Sequence, residues 1–377
     1  MSAQDGPVSA AAVSSEPWAA LVGHTPVVAQ LRRRLTDGTL AHAMLLVGPE
    51  GTGKTTIAEV LAEDVLEAAR WPGGLLAHPD HWLEDSPAER IGIDRVRYGG
   101  GTPESGPSLQ DFLALKPYAG GERVAVVGRA DRLTEPAADC ILKTLEEPPP
   151  GTHIVLCAAH PERLPATIAS RCQQLALAPV PAGEITAWLR QRGVEERRAR
   201  LAAALSGGRP GRALALATAP GALRAEIDAI DALLLSAGSG RLGALDTAAR
   251  LAPPASPAGR ERALSQVAAW TGFLRDVAAV AAGAPELCVW EEYRPAAERW
   301  AQTLPAGQLT VLLRACVDAA DALAQYAVPR LCFEVLLLDI LAAGNAPPRV
   351  APPVHDPGLL GPDGDTPPTT PRPRRRR

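Results

Sequence analysis

Lysine is nearly absent from this chain. Of 38 basic residues in 377 positions only Lys54, Lys116 and Lys143 are lysine, and arginine supplies the rest. Aromatic residues make up 4%, while glycine and proline occur 34 and 37 times. These shortages fit a coding bias toward Ala, Arg, Gly and Pro acting on an ordinary soluble protein. No run of about eighteen apolar residues occurs, which excludes a helical membrane span. The N-terminus lacks a basic segment leading into an apolar one, so it does not read as a signal peptide. The six cysteines lie far apart with no C-x-x-C pair. That argues against a disulfide scaffold and a zinc knuckle, and favours a reducing cytoplasm. A formal charge of −4 argues against an autonomous nucleic-acid binder, leaving open a local stripe or contact within an assembly.

What remains is enough to build cores: 46% of residues are apolar, and the length suits two or three domains. Residues 1–15 are Ala/Ser-rich without periodicity and are expected to be a disordered leader. Over residues 16–179 apolar runs at 43–47, 123–127 and 153–158 alternate with helical patterns at 27–35, 55–69 and 136–145. Buried strands separated by helices imply a parallel α/β sheet. Residues 180–219 carry short helices at 183–192, 195–205 and 211–217, forming a small helical module. Residues 220–344 are helical throughout, with Gly/Pro breaks near 252–259 and 283–285 and a final apolar helix over 330–341. Beyond Gly344, ten prolines and a closing arginine run predict a disordered tail over 345–377.

The strongest chemical signal is Gly48-Pro49-Glu50-Gly51-Thr52-Gly53-Lys54-Thr55, which fits G-x-x-x-x-G-K-[ST] between a buried strand and a helix. Glycines let backbone amides curl around a phosphate, and the helix N-terminus adds its positive end. Lys54 places a compact charge on the β- and γ-phosphates, and the Thr55 hydroxyl can ligate Mg²⁺. A lysine kept here, in a chain that otherwise uses arginine, points to a need that a flat guanidinium does not meet. A hydrolysing enzyme of this type also needs an acidic pair at the end of a neighbouring strand. The strand over 123–127 instead runs into Gly128-Arg129-Ala130-Asp131, where Asp131 stands three residues too late. The sequence therefore supports nucleotide binding better than nucleotide hydrolysis.

With these residues in hand, the chain resembles bacterial clamp-loader subunits of the AAA+ class from about Trp18 to Leu341. Leu21-Val22-Gly23-His24, Ala41-His42-Ala43, the phosphate loop and Ile91-Gly92-Ile93-Asp94-Arg95-Val96-Arg97 carry the likeness. So do Lys116-Pro117-Tyr118, Ile141-Leu142-Lys143-Thr144-Leu145-Glu146-Glu147-Pro148-Pro149, Leu164-Pro165-Ala166-Thr167-Ile168, Ser170-Arg171-Cys172 and Gly211-Arg212-Ala213-Leu214. The resemblance implies an AAA+ domain, a helical lid and an all-α collar that joins a five-subunit ring. It implies that Val22 lines an adenine pocket and that residues 48–56, ending in Thr55 and Thr56, hold the phosphates. Arg171 would be an arginine finger acting on the adjacent subunit's nucleotide, and Arg212 a second sensor. The implied partners are tau/gamma and delta subunits, the sliding clamp and primed DNA.

Within that class the chain is more similar to the delta prime family than to the tau/gamma motors. The motors carry acids where Gly128 and Arg129 stand and a polar first sensor where Ala158 and Ala159 stand. They also carry a four-cysteine zinc knuckle, absent from residues 68–78 here, so no zinc is expected. The implied role is a finger donor with little or no ATP hydrolysis and no polymerase active site. The alternative is a tau/gamma-like motor.

The residues alone leave Arg171 open between a finger and an arginine that caps a carbonyl or pairs with an acid; the surrounding motif favours the finger. Arg212 is open between a sensor and a lid salt bridge. Cys172 reads as a small buried side chain, and Glu146 and Glu147 as a helix end stopped by proline. His78, Asp80 and His81 are expected in a solvated turn, with metal binding as the alternative. The Gly/Pro/Ser-rich stretch 99–108 interrupts a helix that faces DNA in relatives, which counts against Arg95 and Arg97 as phosphate contacts.

Overall fold

Strand β1 (Ala43–Val47) is apolar in all five residues because both its faces are covered. It lies inside a parallel five-stranded sheet with β2 (His81–Glu84), β3 (Arg123–Val127), β4 (Thr152–Ala158) and β5 (Gln173–Ala176), in the order β2-β3-β4-β1-β5. The computed structural model describes residues 17–86, 90–118, 121–219, 221–341, 347–353 and 355. The chain packs as two units, Met1–Ile185 with Gly208–Gly211, and Thr186–Gly207 with Arg212–Arg377.

In the first unit, successive residues of each strand serve opposite layers, as the period of two requires. Met44, Leu46, Val124, Val126, Val155 and Cys157 pack with Leu31 of α1 (Thr25–Thr36) and with Ile57, Ala58 and Leu61 of α2 (Lys54–Val65). Ala43, Leu45, Ala125, Val127, Ile154 and Leu156 pack on the other layer. That layer holds α3 (Leu109–Ala114), α4 (Glu135–Glu146) and α5 (Ala166–Arg171), through Phe112, Leu113, Ile141, Leu145 and Ile168. Helix α3 starts in a capping box in which Ser108 and Asp111 satisfy each other's backbone amides. Helix α4 has proline in its first turn and ends before Pro148, both positions where a missing amide costs little.

The sheet has two strands that periodicity did not reveal, β2 and β5, and both are edges. Each is four residues long with polar positions, too short for alternation to stand out. The helix expected over 55–69 ends at Val65, since Glu67 takes a left-handed φ of 46° and a 3-10 turn follows at Ala68–Arg70.

The second unit is helical. Helices α6 (Ala182–Gln191), α7 (Glu196–Leu205) and α8 (Pro210–Thr218) match the three expected short helices, α6 and α8 beginning in the first unit. Then come α9 (Ala222–Ser236), α10 (Gly240–Leu251), α11 (Pro257–Ala281), α12 (Arg294–Thr303), α13 (Ala306–Ala324) and α14 (Pro329–Leu341). Trp270, Phe273, Trp300 and Phe333 are fully buried in the core of this unit, and α14 adds Leu336, Leu337, Ile340 and Leu341. The expected leader over 1–15 lies outside the described residues, as do residues 356–377 of the tail. The start of the tail departs from the expectation of disorder. Val350 is buried in the helical core, and Pro348 accepts a bond of 3.2 Å from the Trp300 indole. His355 lies between Asp231 (3.0 Å) and Glu292 (3.3 Å).

Candidate nucleotide-binding site

The loop between β1 and α2 is built by close approach. The Gly48 amide donates to Ala158 at the end of β4 (3.3 Å), and a Cβ at Gly48 would stand 2.5 Å from the Leu177 carbonyl oxygen. Gly51 and Gly53 have φ of 80° and 96°, a region that glycine enters without steric cost. Gly53 then hands the chain to α2, whose first-turn amides have no helical acceptor. The Thr52 hydroxyl donates to the Pro49 carbonyl at 2.8 Å, and the His24 ring Nε2 sits 2.8 Å from the Thr52 carbonyl. Lys54 Nζ donates to the carbonyls of Gly48 (2.7 Å) and Pro49 (2.9 Å). Burial holds its ammonium below the ordinary lysine range, against the opposing pull of Cys157, Asp131 and Glu50.

Around this turn, Thr55 is half-buried, and burial pushes the Cys157 thiol up to about 12. Thr56 is exposed, and Glu50 pairs with Arg132 at 3.4 Å. Val22 is half-buried just before Gly23, whose own missing Cβ lets Val180 approach. The Gly211 amide donates to the Gly51 carbonyl at 3.1 Å.

At the end of β3 the structure supplies a different chemistry from a hydrolase. Gly128 has no side chain, and Asp85, just past β2, fills the space: a Cβ on Gly128 would lie 2.4 Å from its Oδ1. Burial raises the Asp85 pKa, with Glu84 and Glu50 adding to the rise, while Arg129 and Arg132 oppose it. Arg129 Nε stands 3.5 Å from that carboxylate, so the acid nearest Gly128 is shared with a cation. Asp131 accepts from the His160 amide at 3.2 Å. Asp85 is not legible in the sequence, because its relation to Gly128 comes from strand pairing across forty-three positions; the available signal was a glycine where a carboxylate was expected.

Arg171 ends α5 and is about one third exposed. Its Nη1 donates to the Thr167 carbonyl at 3.0 Å and its Nη2 lies 2.5 Å from Glu146 Oε1. Carbonyl capping and acid pairing are thus both present within this chain. Arg212 pairs with the buried Glu226 at 2.9 Å, the salt bridge named above as its alternative. Cys172 is buried and its thiol pushed up to about 11, consistent with a packing role. Arg95 is taken by Glu84 and by the Ser105 carbonyl (2.6 Å), and Arg97 by Asp94 (2.8 Å).

The expectation of a solvated turn at His78, Asp80 and His81 is corrected. His78 and Asp80 are 5% and 0% exposed, and Asp80 pairs with buried Arg123 at 3.2 Å while accepting from the Tyr118 amide at 2.9 Å. The segment packs because it enters β2. Among the described residues no group of three or more His, Cys, Asp or Glu is placed to hold a metal ion.

Residues 78–181 match the family described as DNA polymerase III, delta subunit. The chain is similar to DNA polymerase III subunits over part of its length. It is 34% identical over 199 residues to the delta prime subunit of Haemophilus influenzae, covering 49% of this chain and 58% of the relative. Against the delta prime subunit of Escherichia coli it is 40% identical over 142 residues, 37% of this chain and 40% of the relative. The tau/gamma subunit of Haemophilus influenzae is 32% identical over 165 residues, 42% of this chain and 23% of the relative. The chain therefore spans less than two thirds of each of these relatives. The family match runs from β2 past β5, so it takes in Gly128, Arg129 and Arg171 but not the phosphate loop. Among the described residues no helix is long and apolar enough to cross a membrane.

Proposed function

We propose that the chain is the delta prime-type, non-motor subunit of a bacterial clamp loader. In this reading it binds ATP, lends Arg171 to the ATP site of a neighbouring tau/gamma subunit and helps load a sliding clamp on primed DNA. The domains would be AAA+ (16–179), lid (180–219) and collar (220–344), and the other partner a delta subunit.

The observation that carries the reading is the end of β3. A phosphate cradle is intact in its glycines, its lysine and its helix N-terminus, yet Gly128 and Arg129 stand where a hydrolase needs carboxylates. The residues present fit a nucleotide: Lys54 is desolvated against two carbonyls, and a polyphosphate would complete its charge. Gly48, Pro49, Glu50, Gly51, Thr52 and Gly53 would wrap the phosphates, with Lys54, Thr55 and Thr56 beyond them. Val22 would lie by the base, and the Thr55 hydroxyl would hold Mg²⁺. That ion would neutralise phosphate charge. Positioned charge alone leaves hydrolysis slow without a carboxylate to orient water. Arg212 acts as a second sensor only by exchanging Glu226 for a phosphate oxygen.

The tau/gamma match favours a second reading, a hydrolysing motor. It predicts ATP turnover at this chain's own site.

Arg171→Ala in a reconstituted loader tests the finger. DNA-stimulated ATP turnover at the neighbouring site should fall on the order of 10³-fold, the usual worth of an arginine finger. Unchanged turnover in an intact ring would contradict the role.

A further inference from the structure

We propose that Glu146 is a positioning residue for Arg171, holding the guanidinium by one edge so that its other edge faces a neighbouring subunit. The inference rests on the finger reading above.

Both groups sit on fixed backbone. Glu146 is the last residue of α4, anchored by buried Ile141 and Leu145 and stopped by the prolines from Pro148. Arg171 is the last residue of α5, anchored by buried Ile168. The Nη2–Oε1 distance is 2.5 Å, and Nη1 donates to the Thr167 carbonyl at 3.0 Å. A guanidinium is planar with five N–H donors, so these two bonds fix its plane and leave donors for a phosphate.

The pair is 36% and 49% exposed, and an ion pair so placed contributes little to stability. Its effect lies in orientation. A free arginine side chain samples many rotamers, and ordering it at the moment of reaction raises the barrier. A carboxylate that orders it beforehand removes that cost. Lys143 is exposed one turn earlier on α4 and Glu147 follows the carboxylate directly, so these two neighbours cancel in charge.

The test uses the assembled loader with wild-type, Arg171→Ala, Glu146→Ala and Glu146→Gln chains. It reads kcat and KM for DNA-stimulated ATP turnover, together with each chain's melting temperature. Arg171→Ala should show the full finger loss. Glu146→Ala should lower kcat about tenfold, as loss of orientation does, with KM and melting temperature unchanged. Glu146→Gln keeps an acceptor oxygen of the same reach and should return kcat to within about threefold of wild type. If Arg171→Ala is impaired while Glu146→Ala is unchanged, the pair is incidental and the inference fails. If Glu146→Ala turns over faster than wild type, the carboxylate cages the finger, and the inference fails the other way. If Arg171→Ala equals wild type, the finger reading itself falls, and the role of Glu146 with it.

Discussion

The His81 imidazole stands opposite Val124 in the β2–β3 ladder, where burial pushes its pKa down to about 4. Its Nε2 has no hydrogen-bond partner among the described residues. The unfolded chain, with an ordinary histidine pKa near 6.5, takes up the proton first as pH falls. The neutral ring therefore contributes stability that is fully present above about pH 6.5 and is lost progressively toward pH 4. The loss is on the order of 3 kcal/mol at most. Urea unfolding at pH 7 and pH 4.5 should show this loss for wild type and a smaller one for His81→Phe. Equal pH dependence in both would remove the account. His81 also shows a limit of sequence reading at this scale. His-Pro-Asp-His looks like a polar turn, and its burial comes from partners such as Arg123 and Tyr118 some forty positions away. The turn that holds Lys54, by contrast, is legible in the sequence, because it is built from seven contiguous neighbours.

At the scale of elements, what could be read follows what was continuous. Strand β1 is apolar throughout, and β3 and β4 are apolar beyond Arg123 and beyond Thr152-His153, because each is covered on both faces and flanked on both sides. Edge strands β2 and β5 are half-polar and were invisible. The helices of the second unit were legible through their Gly/Pro breaks, which fall where α10 and α11 end. The connection after α3 is secured by a buried network that no local pattern announces. Arg123, first in β3, donates to the Phe112 carbonyl and to the Lys116 carbonyl (2.6 Å), and pairs with Asp80. Asp80 in turn accepts from the Tyr118 amide. Lys116 thus serves the fold through its backbone, whatever its ammonium does. Removing one partner of a buried pair strands the other charge. Asp80→Ala should therefore destabilise by about 3–5 kcal/mol in denaturant unfolding. A loss below about 1 kcal/mol would mean that water or a neighbour repairs the site.

At the scale of the whole molecule, the chain combines a glycine-rich strand-to-helix turn of the G-x-x-x-x-G-K-T pattern with a β3 end that carries Gly128 and Arg129. Asp85 brings one carboxylate toward the vacated position, and Arg129 lies close enough to share it. The scarcity of lysine fits this division. Lysine persists in the cradle, whereas arginine stands at position 129, where hydrolysis asks for the opposite charge. The central claim, that the site binds ATP without turning it over, is open to one direct measurement. A loader would be assembled from this chain and motor subunits whose own phosphate-loop lysines have been replaced, so that remaining phosphate release on primed DNA comes from the site at Lys54. The account predicts one ATP bound per chain and release on the order of 10⁻³ s⁻¹ or slower, the pace of a P-loop site without full catalytic machinery. Sustained release near 1 s⁻¹, abolished by Lys54→Ala, would contradict it.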